Sequence, residues 1–139
     1  MRLPIIAAAL LGVCMLSCFD SRVDADSSVP VVKISARARA FIPQTIFLKM
    51  GRPVALVIEN EDAELHAFVP LLLFQGINVQ VTGNGAPEFN EAGLARILIP
   101  PKGHANIRFT PRAAGHFFFI CDLPGHQMRG EIFVTSDSL

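Results

Sequence analysis

A chain of 139 residues is long enough for one domain whose hydrophobic core needs no disulfide or metal to support it. Lys+Arg and Asp+Glu balance at 12 each, which gives no electrostatic ground for binding nucleic acid or an anionic membrane surface. Trp and Tyr are absent, Phe occurs 11 times, and Pro and Gly number 10 each; with abundant Val and Ile, this favours a β protein rich in turns.

Residues 1–18 hold one basic residue, Arg2, followed by an apolar run from Leu3 to Leu16. That is the layout of a secretory leader, and the run is too short for a good membrane span. Two endings are open. Met15-Leu16-Ser17-Cys18 resembles a bacterial lipobox with Cys18 as the lipidated residue, and Val23-Asp24-Ala25 offers cleavage near residue 25. Residues 19–30 are mostly polar and read as a flexible linker or tether, so the folded domain is expected over 31–139. Either ending places that domain in the periplasm or elsewhere outside the cytoplasm.

Short strand-like runs follow: Val31–Ala36, Thr45–Lys49, Val54–Glu59, His66–Val69, Ile77–Thr82, Leu94–Ile99, Ala105–Thr110, His116–Cys121 and Glu131–Thr135. Turn-forming clusters separate most of them, among them Gly51-Arg52-Pro53, Gly83-Asn84-Gly85 and Pro100-Pro101-Lys102-Gly103. Alternation is clearest at Ala105, Ile107 and Phe109, with His104, Asn106 and Arg108 on the other face. About seven to nine strands without a long helical period predict an all-β Greek-key sandwich. Asn84–Asn90 reads as a loop, followed by one helical turn at Glu91–Leu94. Leu71–Phe74 reads either as ordinary core or as an apolar surface beside the functional end.

The chemistry concentrates in Cys121-Asp122-Leu123-Pro124-Gly125-His126-Gln127-Met128. Leu123–His126 suits a type II turn, with Pro presetting φ at its second position and Gly accepting φ > 0 at its third. The turn swings the His126 ring back towards the Cys121 sulfur. Cys14 and Cys18 fall in the leader, so Cys121 is the lone thiol of the folded domain and needs burial or a metal to escape oxidation. A thiolate, an imidazole and a thioether on one loop are ligands of a mononuclear copper site, which requires a second imidazole; His66 is the candidate. Met128 takes the axial position, with Gln127 or a backbone carbonyl as the alternative. His104, His116 and Met50 read as surface residues or filler.

Cys121-x-x-Pro-Gly-His126 resembles the ligand loop of the cupredoxins in its azurin form. Phe41-Ile42-Pro43, Asn60 through Phe68, and Phe109-Thr110-Pro111 with Phe117-x-Phe119-x-Cys121 resemble other family segments in the same order. Only Gln127 separates His126 from Met128, a shorter spacing than is usual there. The resemblance implies one type 1 copper ion on His66, Cys121, His126 and Met128, with the Ala67 amide donating to the sulfur. It further implies a monomeric single-electron carrier, not an enzyme, that meets a cytochrome, oxidase or reductase near an apolar surface around His126. A copper-delivery or buffering protein is the alternative, and a Cys121 nucleophile with His126 as base is a third. A lipid anchor at Cys18 would be its tie to a membrane.

Overall fold

The computed structural model describes residues 28–137. The leader, both of its endings and the linker up to residue 27 lie outside the described residues. Eleven strands form two facing sheets, and there is no helix among the described residues. In chain order they are β1 (Val31–Arg37), β2 (Ala40–Ile42), β3 (Thr45–Lys49), β4 (Val54–Asn60), β5 (His66–Leu71) and β6 (Gln80–Gly83). There follow β7 (Ala86–Asn90), β8 (Gly93–Ile99), β9 (His104–Phe109), β10 (Gly115–Ile120) and β11 (Arg129–Thr135).

One sheet runs β2-β1-β4-β9-β6 and the other β3-β11-β10-β5-β8-β7. Connections pass repeatedly from one sheet to the other, as in a Greek-key sandwich. The alternation expected in β9 is present: Ala105, Ile107 and Phe109 are buried, while His104 and Arg108 are exposed. Where one side of a strand is buried, register is fixed, because a slip of one residue would turn the apolar set to solvent. Phe41, Phe68 and Phe119 meet at ring separations of 5.0–6.5 Å in the centre of the core, and Phe74 sits edge-on to Phe109 at 4.7 Å.

Two strands exceed the nine expected. β2 is three residues long and enters through a tight turn at Ala38 and Arg39, whose φ values are +51° and +55°. Neither residue is Gly or Asn, so the turn carries none of the usual signals for a left-handed pair. β7 spans the expected loop; all five of its residues are exposed and it includes Pro87. As an edge strand pairing only with β8, it needs no apolar alternation and tolerates a missing N–H. Residues 91–94 are not helical: Glu91-Ala92 turn the chain between the paired Asn90 and Gly93. The Ile77–Thr82 run enters the sheet only at Gln80, since residues 72–76 form a turn and 77–79 extend from it unpaired.

Candidate metal centre

β5 begins at His66, and Cys121 follows the last residue of β10; both strands belong to the six-stranded sheet, where β10 pairs with β5. His66 and Cys121 therefore arrive at the same end of the sandwich from positions 55 residues apart. After Cys121 the chain turns at Leu123–His126: Gly125 has φ +78° and the His126 N–H donates to the Leu123 carbonyl at 3.0 Å, as a type II turn requires. The Cys121 N–H donates to the Met128 carbonyl at 3.0 Å, closing the loop at its base.

His66 Nδ1 lies 3.2 Å from His126 Nδ1, and Cys121 Sγ lies 3.4 Å from the same nitrogen. These are the spacings needed for one ion to take all three atoms with bonds of about 2.0–2.3 Å, as metal–imidazole and metal–thiolate bonds are. His66 and Cys121 are buried. The Ala67 N–H donates to Cys121 Sγ at 3.3 Å, the contact expected for a thiolate held in place by its surroundings. Met128 is buried in the same apolar cluster as Cys121, whereas Gln127 is exposed. Cys121, His126, Gln127, Met128 and Arg129 line one shallow cleft. A soft sulfur, two imidazole nitrogens and a neighbouring thioether suit copper better than a hard cation.

The sequence reading did not anticipate the residues behind the two rings. His66 Nε2 lies 2.8 Å from Asp62 Oδ2, and His126 Nε2 faces Glu64 Oε2 at 3.8 Å. Burial alone would push the Asp62 carboxyl upward, but the Arg39 N–H, His66 and the Ala38 N–H outweigh it and hold Asp62 at about 2. Glu64 is bound by the Arg39 guanidinium through contacts of 2.6 and 2.8 Å; that hydrogen bond lowers its carboxyl and raises Arg39. The segment bearing both acids hangs from Asn60, which is buried. Its side-chain amide donates to the carbonyls of Glu64, Ile99 and Pro100 at 2.7–3.0 Å.

The other sequence candidates lie elsewhere. His104 is exposed on β9, and His116 is exposed on β10, stacked on Phe133 and 2.9 Å from Glu131. Leu71–Phe74 does not border the centre: Leu73 and Phe74 are core, and Leu71 and Leu72 are exposed at the opposite end of β5 from His66. The rim near His126 contains the Arg39–Glu64 ion pair and the contact of Arg96 with Asp122 at 3.1 Å, beside Leu65, Leu123 and Pro124. It is mixed in character, not uniformly apolar.

A two-sheet Greek-key sandwich with His, Cys and His gathered at one end defines a cupredoxin-like protein. The chain belongs to the cupredoxin-like domain family, whose sequence model matches residues 7–134. Among solved structures it is similar to auracyanin A, a "blue" copper protein from Chloroflexus aurantiacus. The identity is 20%, the TM-score 0.57, and the alignment covers 76% of this chain and 98% of that one. It is also similar to auracyanin from Roseiflexus castenholzii, at 19% identity and TM-score 0.56, over 76% and 96% of the two chains. In sequence it is 29% identical over 106 residues to Laccase-7 of Oryza sativa subsp. japonica. That match covers 75% of this chain but only 19% of the laccase, so the chain spans about a fifth of that relative's length.

Proposed function

We propose that this protein is an exported electron carrier with one type 1 copper ion, held by His66, Cys121 and His126 with Met128 as the axial ligand. The observation that carries the reading is the convergence of two Nδ1 atoms and one buried Sγ at separations of 3.2 and 3.4 Å, with an amide N–H aimed at the sulfur. Copper bound there would supply one-electron chemistry between its two oxidation states. The protein's part is to keep the ligand cage unchanged between those states, so that little reorganisation opposes transfer. Strand-anchored ligands, a loop closed by the Cys121–Met128 backbone contact and a buried His66 serve that end.

The loop Cys121-x-x-Pro-Gly-His126 is of the azurin kind with a shortened exit to Met128. The apolar run Leu3–Leu16 supports export, with Cys18 as the lipid-anchor position if the leader is of lipoprotein type. Its partners in this reading are periplasmic or membrane-bound redox proteins that approach at His126, and the chain acts as a monomer without an enzymatic activity of its own.

The test is an optical and EPR titration with Cu(II). An intense visible charge-transfer band and a small parallel hyperfine splitting are expected, both lost in Cys121→Ala. A colourless adduct, or a band that survives in Cys121→Ala, refutes the reading. Ready loss of the ion to a modest chelator during redox cycling would assign the protein to copper delivery instead.

A further inference from the structure

Both candidate imidazoles turn one nitrogen to the centre and the other to a carboxylate, and those two carboxylates stand two residues apart on one connecting segment. We propose that Asp62 and Glu64 are positioning residues for the metal centre, and that the left-handed turn at Ala38–Arg39 holds them in place: Asp62 orients and tautomerically fixes His66, and Glu64 supplies negative charge behind His126.

The geometry at His66 leaves one consistent assignment of hydrogen. A carboxylate oxygen at 2.8 Å accepts, so a hydrogen stands on Nε2, and in the neutral ring that leaves Nδ1 without one. Nδ1 then presents its lone pair towards Cys121 and His126, the state in which it can bind a metal. Asp62 is constrained from two further directions. The Ala38 and Arg39 N–H groups donate to its two oxygens at 2.8 and 3.1 Å, and its own N–H donates to Asn60 Oδ1 at 3.0 Å. Glu64 acts at longer range, since 3.8 Å exceeds a hydrogen bond, and Arg39 fixes its carboxylate from the outside. Left-handed φ at Ala38 and Arg39 costs each residue free energy, which a surrounding structure must offset. The Asp62 oxygens on both N–H groups are that offset. The turn, which bears no ligand, thereby becomes part of the centre.

The inference rests on the copper reading for affinity and potential but not for the tautomer, so the two can fail separately. The experiment compares the full-length wild type with Asp62→Asn and Asp62→Ala. Long-range 15N–1H NMR of the His66 ring is read in metal-free protein, beside Cu(I) competition titrations and reduction potentials. Wild type is expected to carry the hydrogen on Nε2 alone. Asp62→Ala should show mixed tautomers and a Cu(I) affinity lower by about 10- to 100-fold. Asp62→Asn, whose Oδ1 still accepts from Nε2, should retain the tautomer and recover most of the affinity. Its lost charge should raise the potential by disfavouring Cu(II). Ala38→Asn, better suited to left-handed φ, supports the turn by itself, and Asp62→Ala in that background should still lose affinity. A wild-type His66 protonated on Nδ1, or unchanged tautomer and affinity in Asp62→Ala, overturns the proposal. So does a loss that disappears in the Ala38→Asn background, which would leave Asp62 serving the turn alone. Should Asp62→Ala not fold, an Asp62→Asn protein with an unchanged potential overturns it.

Discussion

Gly130→Ala tests how tightly the centre is tied to the core. Gly130 is the second residue of β11 and pairs with Phe119, two residues before Cys121. A Cβ added there would lie 2.1 Å from Phe119 Cζ, 2.6 Å from its Cε2 and 2.7 Å from the Gln44 carbonyl oxygen. Ordinary contact begins near 3.4 Å, so the ring would have to withdraw by 3.4 − 2.1 = 1.3 Å. It has nowhere to go: Phe119 is fully buried, with Phe41 at 5.0 Å and Phe68 at 5.3 Å. The backbone is equally blocked, because the Gln44 carbonyl accepts from the Glu131 N–H at 2.6 Å. Overpacking of this kind costs about 1–3 kcal/mol and forcing the ring off its rotamer about 0.5–1.5 kcal/mol more. Replacing a strand glycine returns about 0.5–1 kcal/mol of backbone entropy. The net expectation is a loss of about 2 kcal/mol in urea unfolding of the metal-free protein. Phe119→Leu in the same chain should couple favourably with Gly130→Ala, the double mutant losing less than the two single losses together. A Gly130→Ala protein within about 0.5 kcal/mol of wild type, or strictly additive losses, would refute the reasoning.

Met128→Leu keeps the buried volume but removes the thioether; the blue band should persist while the reduction potential rises, and no change in either would show that Met128 does not reach the ion. Asn60→Ala strips the amide from the carbonyls of Glu64, Ile99 and Pro100, and should cost about 2 kcal/mol in urea unfolding because the Ile99 carbonyl stays buried and the other two partly so; a loss under about 1 kcal/mol would mean water replaces it. Leu123→Glu should slow electron exchange with a candidate cytochrome in stopped flow without altering the copper spectrum, whereas Leu72→Glu, at the opposite end of β5 from His66, should not; equal rates for both variants would place the docking surface elsewhere.

Much of the fold and the centre is legible in the sequence because the determinants are local. Pro124-Gly125 dictates the turn that brings His126 back to Cys121, and alternation in β9 separates core from solvent within six residues. β7 is not legible, since an exposed edge strand has no buried face to impose a pattern. β2 depends on a left-handed turn of Ala and Arg whose two N–H groups the Asp62 carboxylate accepts from. Asp62 and Glu64 stand in sequence as two of the acids in the segment leading into His66. Their spacing of four and two residues before His66 is the available signal, but it acquires meaning only once the turn at Ala38–Arg39 is known to face them.

That dependence says where the centre draws its rigidity. His66 opens β5 and Cys121 directly follows β10, both strands of the six-stranded sheet, so the ligand set alone would leave the metal end attached to one layer. The segment from Asn60 to His66 crosses between the layers, and its contacts run to both. Glu61 N–H donates to the Ala36 carbonyl at 2.8 Å and Asp62 accepts from the β1–β2 turn, both on the five-stranded sheet. Asn60 reaches the Ile99 and Pro100 carbonyls at the end of β8, and the Lys102 N–H donates to the Asp62 carbonyl at 3.2 Å. A shift of one sheet against the other would have to break this set before it could move Asp62 and Glu64 relative to the His66 and His126 rings. An electron carrier needs that resistance, because a cage that relaxed between oxidation states would raise the barrier to every transfer. The apolar core supplies cohesion between the layers; the β5–β10 pairing and the Ala67 N–H fix imidazole to sulfur, and the polar segment from Asn60 to Glu64 fixes the carboxylates behind the rings.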